Sequence, residues 1–266
     1  MADIVRAFLA GLACVLGLAL AGGRAGAEAV DPPVIAAAAD LNYALAQVAE
    51  DFKASTGRAV LLTFGSSGNF ATQIQNGAPF QMFLSADESY VRLVAGKGLT
   101  EDDGTLYAIG RIVLFTPNGS PIAADGDLKD LAAGIADGRL LKLAIANPEH
   151  APYGRAAREA LIRAGLWDSL QGKLVFGENA SQAAQYAASG STQGGIIPYS
   201  LALAPAFAGL GRSALVSADW HEPLRQRMVL LKGAGETARA FYGYLQQPEA
   251  RAVLKTYGFV LPGDTN

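Results

Sequence analysis

The chain has 266 residues, a formal net charge of −3, 17% charged residues and a single cysteine. A mildly acidic chain is a poor partner for nucleic acid, and one cysteine closes no internal disulfide. The length suits one large or two medium α/β domains.

Residues 1–27 read as a secretory signal peptide. Arg6 gives a weak basic start, Ala7 to Gly22 is an apolar run too short to span a bilayer comfortably, and Ala25-Gly26-Ala27 offers a cleavage site. Cys14 lies inside this run, which Val15 to Leu20 carry on past it, so lipidation is not expected. Removing Asp3, Arg6 and Arg24 with the leader leaves 19 basic and 23 acidic residues and no thiol. The signal peptide implies export to the periplasm, and no later segment reaches transmembrane length, so the mature chain is expected to be soluble; it is also expected to be a monomer.

Val34 to Ala38 reads as the first strand. Leu41, Leu45, Val48 and Phe52 then fall on one face of a helix that Gly57 ends. Ala59 to Phe64 is a continuous apolar run, suited to a strand buried on both faces. A helix marked by Phe70 and Ile74 stops at Asn76-Gly77-Ala78-Pro79. Met82 to Leu84 is a short strand, and Ser85 to Glu88 cap another helix. A strand over Ile112 to Phe115, a helix around Asp127 to Ala136 and a strand from Leu141 to Ala146 follow. A helix then runs from near Gly154 to Gly165. Next come a strand from Leu174 to Phe176, a helix from Ser181 to Ser189 and a strand from Gly195 to Ile197. Met228 to Leu231 is the last clear strand, and two helices around Glu236 to Gln246 and Glu249 to Tyr257 finish the chain. Alternation of strand and helix implies parallel βαβ units with ligands at the carboxyl ends of the strands.

Four strands run into small-residue turns that open directly into helices: Ala38-Ala39-Asp40-Leu41, Gly65-Ser66-Ser67-Gly68, Pro152-Tyr153-Gly154 and Asn179-Ala180-Ser181. A helix start carries unpaired N–H groups and about half a positive charge. Several such starts converging on one cleft would hold an oxyanion without Arg or Lys.

The ordered set Gly65-Ser66-Ser67-Gly68, Gln73-Ile74, Asn76-Gly77-Ala78-Pro79 and Phe83-Leu84-Ser85-Ala86-Asp87 is similar to the signature of periplasmic molybdate/tungstate-binding proteins. Ala36 to Leu41, Asn147 to Gly154, Glu178-Asn179 and Tyr257-Gly258-Phe259 extend the match over nearly all of the mature chain. The resemblance implies an α/β, two-lobed type II periplasmic binding protein fold, each lobe a mostly parallel sheet flanked by helices. Lobe 1 would comprise residues 28–110 plus 226–266 and lobe 2 residues 111–225, with crossings at Tyr107 to Arg111 and Leu224 to Met228. It implies no cofactor, molybdate or tungstate as ligand, and the membrane permease of an ABC importer as partner. Carried over by position, the oxyanion would meet Ala39, Asp40, Ser66, Ser67, Tyr153 and Ala180. In another branch of the family the ligand tyrosine follows the late Gly-Ile-Val strand; here that place is Pro198, with Tyr199 beside it, so Tyr153 is preferred.

Two departures stand out. The first loop has Ala39-Asp40 where Ser, Thr or Asn is usual, and Gln81 replaces an Asp. Asp40 is expected to cap a helix by accepting from the amide of Asn42 or Tyr43; the alternative is a carboxylate facing the cleft, where it would repel a dianion. Ser66 reads as an N-cap or a ligand, Asn179 as a cap, and Arg155 as a solvated first-turn arginine. His150 and His221 lack the company of a metal site. Competing readings are a receptor for sulfate, chromate, phosphate or a small carboxylate, and a sensory ligand-binding domain. A serine hydrolase using Ser66 or Ser67 is remote, since Asn69 stands where a nucleophile elbow needs its last glycine. The chain is read as a binding protein and not an enzyme.

Overall fold

The computed structural model describes residues 31–264, so the signal-peptide reading and Cys14 lie outside the described residues. Val34–Ala38 (β1) leads through a short 3-10 turn, Ala39–Leu41, into Asn42–Thr56 (α1). Leu41, Leu45, Val48 and Phe52 are fully buried along one side of α1, the stripe that their spacing predicts. Gly57 ends the helix in a left-handed conformation (φ 72°), its N–H returning to the Lys53 carbonyl at 2.9 Å.

Leu61–Gly65 (β2), Ser67–Gln75 (α2), Met82–Ser85 (β3), Glu88–Gly96 (α3) and Thr105–Gly110 (β4) continue the first unit of the fold. The chain then crosses at Arg111 into Ile112–Pro117 (β5), Lys129–Ala136 (α4), Leu143–Ala146 (β6), Pro152–Arg163 (α5) and Leu174–Gly177 (β7). Ala180–Ala188 (α6), Gly194–Pro198 (β8), Tyr199–Ala202 (α7) and Gly211–Leu215 (β9) complete this stretch. It returns through residues 216–223 into Leu224–Leu230 (β10), Glu236–Tyr244 (α8) and Pro248–Thr256 (α9).

Two five-stranded sheets result, ordered β2-β1-β3-β10-β4 and β7-β6-β8-β5-β9. In the first, only β10 runs against the other four strands; in the second, only β5 does. Each reversed strand is the first one laid down after the chain changes sheets. The remaining strands therefore point their carboxyl ends the same way in each lobe, the geometry that collects loops at one edge.

Lobe 1 packs both faces of its sheet. Phe52 and Phe241 meet edge to face at 5.2 Å on the side of α1 and α8. Phe70 and Phe80 meet at 5.5 Å on the side of α2. A full burial of such a ring is worth about 1.5–3 kcal/mol. Lobe 2 has its own core around Phe115, Leu143, Ile145, Leu161 and Ile196. Among the described residues no helix is long and apolar enough to cross a membrane.

The structure departs from the sequence reading at the strands. β2 lies at the sheet's end with Leu61 52% exposed, because it has a partner on one side only; it is not buried on both faces. β9 carries only two apolar residues, Ala214 and Leu215, and gives no strand signal; β4 holds the run Leu106 to Ile109, which from Tyr107 on reads in the sequence as a crossing between lobes. β10 begins at Leu224, four residues before the expected Met228, since Arg225 and Arg227 alternate outward between buried Leu224, Gln226 and Met228.

Candidate functional site

β1 and β2 end in the first sheet, and β6 and β7 in the second, where helices begin within a few residues. The four starts meet at one cavity. From the first lobe it is lined by Ala38, Ala39, Asp40, Gly65, Ser66, Ser67 and Ala86; from the second by Ala151, Pro152, Tyr153 and Ala180. All six residues singled out from the sequence lie on this wall, and none of the described lining residues is Arg, Lys or His. The cavity measures about 10 Å³ for the centre of a water-sized sphere. Adding back a water radius of about 1.4 Å makes that the room of one sphere of roughly 2.7 Å radius, enough for a single compact ion. A larger hollow of about 470 Å³ on lobe 2, bordered by Thr116 to Ala124, Asp130 and Arg212, touches none of these helix starts.

The donors left for a guest follow from which amides are already committed. Ser66 caps α2, its Oγ accepting from the Asn69 amide at 3.3 Å. The Gly68 amide donates to the His150 carbonyl at 3.0 Å. These two bonds leave the Ser67 amide as α2's first-turn donor. The fully buried Ser67 hydroxyl accepts from the Ala86 amide at 3.0 Å, which frees its proton to donate elsewhere. On α6, Asn179 is the cap, accepting from Gln182 at 3.1 Å, so Ala180 stands at the first helical position. Pro152 opens α5 with no N–H to lose.

Asp40 does not cap α1. The residue is 1% exposed, and its carboxylate turns toward β10 and the opposite lobe. Oδ2 accepts from the Tyr153 hydroxyl at 3.0 Å and from Gln226 Nε2 at 2.7 Å. Gln226 also donates to the Tyr153 oxygen at 3.0 Å and accepts from Tyr107 at 2.7 Å. The 3-10 turn explains why the expected cap failed: Asp40 sits within that turn and makes no side-chain bond to the backbone of α1. Burial raises the Asp40 pKa to about 6, against the pull of Gln226 and Tyr153. Burial first, and then Asp40 itself, push the Tyr153 hydroxyl well above its ordinary value.

The two lobes are latched shut around the cavity. Ser181 Oγ donates to the Ala39 carbonyl and Ser200 Oγ to the Asp40 carbonyl, both at 2.8 Å. Asn69 Nδ2 donates to Glu178 Oε1 at 3.2 Å. Arg155 is not free in solvent: it pairs with Asp87 of the first lobe. His150 Nδ1 lies 2.9 Å from Ser66 Oγ, and its Nε2 lies 3.6 Å from Glu178 Oε1. That order imitates a nucleophile, base and acid. The Ser66–His150 contact spans the cleft, however, and so joins the two lobes. The Ser66 hydroxyl is already committed to capping α2.

Sequence reasoning missed Gln226 and Ser200, and it named Ala86 and Ser181 only as members of a signature and a turn, with no role of their own. The alternation of Leu224, Gln226 and Met228 was the one signal for a buried polar residue on β10. Gln81 has a role away from the cleft, its Oε1 accepting from the Gly235 amide at 2.7 Å beside the start of α8. Tyr199 heads α7 and is not among the cavity's lining residues; its ring lies against Gly258.

Known proteins resemble the chain in sequence and in fold. A family model described as bacterial extracellular solute-binding protein matches residues 33–260. The chain is 35% identical to the molybdate-binding protein ModA of Rhodobacter capsulatus, over 96% of both chains. It is 36% identical to ModA of Azotobacter vinelandii, over 85% of this chain and 89% of that one. The solved Azotobacter vinelandii periplasmic molybdate-binding protein superposes with a TM-score of 0.77 at 32% identity, covering 86% of this chain and 99% of that one.

Proposed function

The chain belongs to the bacterial extracellular solute-binding protein family, and from that premise we propose that its interlobe cleft captures molybdate or tungstate in the periplasm. The closed form then delivers the ion to the permease of an ABC importer. The observation that carries this reading is the meeting of four helix starts around an ion-sized cavity with no cationic lining residue. The relatives named as molybdate-binding proteins support the choice of ion.

Ala39, Asp40, Ser66, Ser67, Tyr153 and Ala180 form the ligand wall. Donors come from the backbone of Ala39, the hydroxyl and amide of Ser67, and the amides of Tyr153 and Ala180. Each hydrogen bond from a neutral donor to the dianion contributes about 1.5–3 kcal/mol. About five such bonds in a dry cleft outweigh closure and ion immobilisation, and give affinity in the micromolar range or tighter. Helix dipoles add to the attraction without the desolvation cost of a buried cation. Sulfate is smaller, so a ring of fixed amides leaves gaps around it. Arg111 and residues 216–223, where the chain changes sheets, act as the hinge. Residues 31–110 with 224–264 then move as one lobe and 112–215 as the other.

Calorimetry on the mature protein with molybdate, tungstate, sulfate, phosphate and chromate tests the reading. Tight binding of the first two and at least a hundredfold weaker binding of sulfate is expected. Preference for sulfate or phosphate would reassign the ligand.

A further inference from the structure

The cleft holds one acid among neutral donors, and that acid is half satisfied. Asp40 Oδ2 takes two donors, Tyr153 and Gln226, which fill its accepting directions. Oδ1 is equally buried and has no hydrogen-bond partner among the described residues. Asp40 lines the cavity, so a guest ion meets this residue. Were the carboxylate charged, a buried oxygen without a donor would share the site with a dianion.

We propose that Asp40 joins the oxyanion complex as its neutral acid, donating an O–H from Oδ1 to an oxygen of the guest. Capture therefore takes up one proton. This deepens the oxyanion reading above and rests on it. The balance is simple: carboxylate, dianion and one solvent proton combine into a complex carrying two negative charges in place of three. No bond at the ion's central atom is made or broken. The crowded Oδ2 leaves Oδ1 as the only carboxyl oxygen able to carry the proton and present it.

The groups facing Asp40 favour this state. Tyr153 of α5 and Gln226 of β10 touch the carboxylate, Tyr107 of β4 stands behind Gln226, and Ser200 of α7 reaches only the Asp40 carbonyl. None is a cation that would hold the carboxylate ionised. Both tyrosines have pKa values raised by burial and by Asp40, so they stay neutral.

The sign of the pH effect follows. In the closed cleft burial raises the carboxyl's pKa to about 6, so at pH 8 the carboxyl must take back a proton that it has mostly lost, and in more acid solution less of that proton has to be supplied. The dissociation constant should therefore rise from pH 6 to pH 8, with a slope that approaches tenfold per pH unit, the limit for uptake of one proton.

Calorimetry with tungstate at pH 6, 7 and 8, in two buffers of different ionisation enthalpy, tests this on the wild type and on Asp40→Asn. In the variant, the amide oxygen keeps the Tyr153 and Gln226 bonds and Nδ2 takes the place of Oδ1, donating without a captured proton. The wild type should take up close to one proton at pH 8 and lose affinity as stated. Asp40→Asn should show no proton uptake, a flat profile and tighter binding than wild type at pH 8. Wild-type binding that is flat with pH and free of proton uptake would overturn the inference while leaving the oxyanion reading in place. A variant that keeps the wild-type slope would do the same. Failure of the wild type to bind tungstate or molybdate at any of these pH values would overturn both.

Discussion

The Gly68 amide, in the first turn of α2, donates across the cleft to the His150 carbonyl at 3.0 Å. A Cβ at Gly68 would come within 2.7 Å of that oxygen, 3.0 Å of the His150 Cβ and 3.0 Å of the Tyr90 hydroxyl. The glycine is needed for the lobes to close, not for the helix to form.

Gly68→Ala is thus expected to leave the open protein folded and to oppose closure. Overpacking of this kind costs about 1–3 kcal/mol. Anion affinity should fall about tenfold or more while the unliganded melting temperature stays within a few degrees. Calorimetry and thermal denaturation, run side by side, check both halves.

Ser67→Ala removes one charge-assisted donor, and should weaken molybdate binding by about 1.5–3 kcal/mol. It also strips the Ala86 amide of its buried acceptor, so a smaller loss of stability should accompany it. Titration of the variant against wild type measures the first effect. Unchanged affinity would mean that the guest sits elsewhere.

The pair between Arg155 and Asp87 ties the rims together. Arg155 is 37% exposed, so solvent screening holds its worth to about 1 kcal/mol or less. Arg155→Met should speed anion release a fewfold with little change in the association rate, as stopped-flow fluorescence can record. Burial raises the Asp87 pKa, but the Ser89 amide and the Arg155 guanidinium outweigh it and hold the carboxyl below its ordinary value. A depressed folded pKa stabilises at neutral pH and loses that contribution as pH falls through it. The latch should therefore weaken only in acid, below about pH 4.

Hydrogen phosphate brings its own proton, and a ring made only of donors gives that O–H no acceptor. With Asp40 ionised, Oδ1 becomes the missing acceptor. Discrimination of molybdate from phosphate should be sharper at pH 6 than at pH 8, and competition titrations at the two values will show whether it is.

How much of this was legible in the sequence depends on distance along the chain. The α1 stripe and the four small-residue turns are local patterns, and they identify the cleft. The partners of Asp40 are not local. Tyr153 is 113 residues away and Gln226 is 186. A carboxylate read with only its neighbours looks like a helix cap, because capping is what a short acidic side chain at a strand-to-helix turn usually does. β9 stayed hidden because it is an edge strand held by antiparallel pairing with β5 and not by an apolar run of its own, and β4, which does have such a run, reads in part as a crossing between lobes. The latch across the cleft, likewise, appears only when both lobes are folded.

The most direct measurement is a crystal structure of the mature protein grown with tungstate, whose anomalous signal locates the ion without ambiguity. The tungsten should lie between Ser67, Ala39, Tyr153 and Ala180, its oxygens within hydrogen-bond distance of the Ser67 hydroxyl and backbone amides from both lobes. A peak outside this cavity, or an ion held there by an arginine or lysine side chain, would contradict capture by neutral donors.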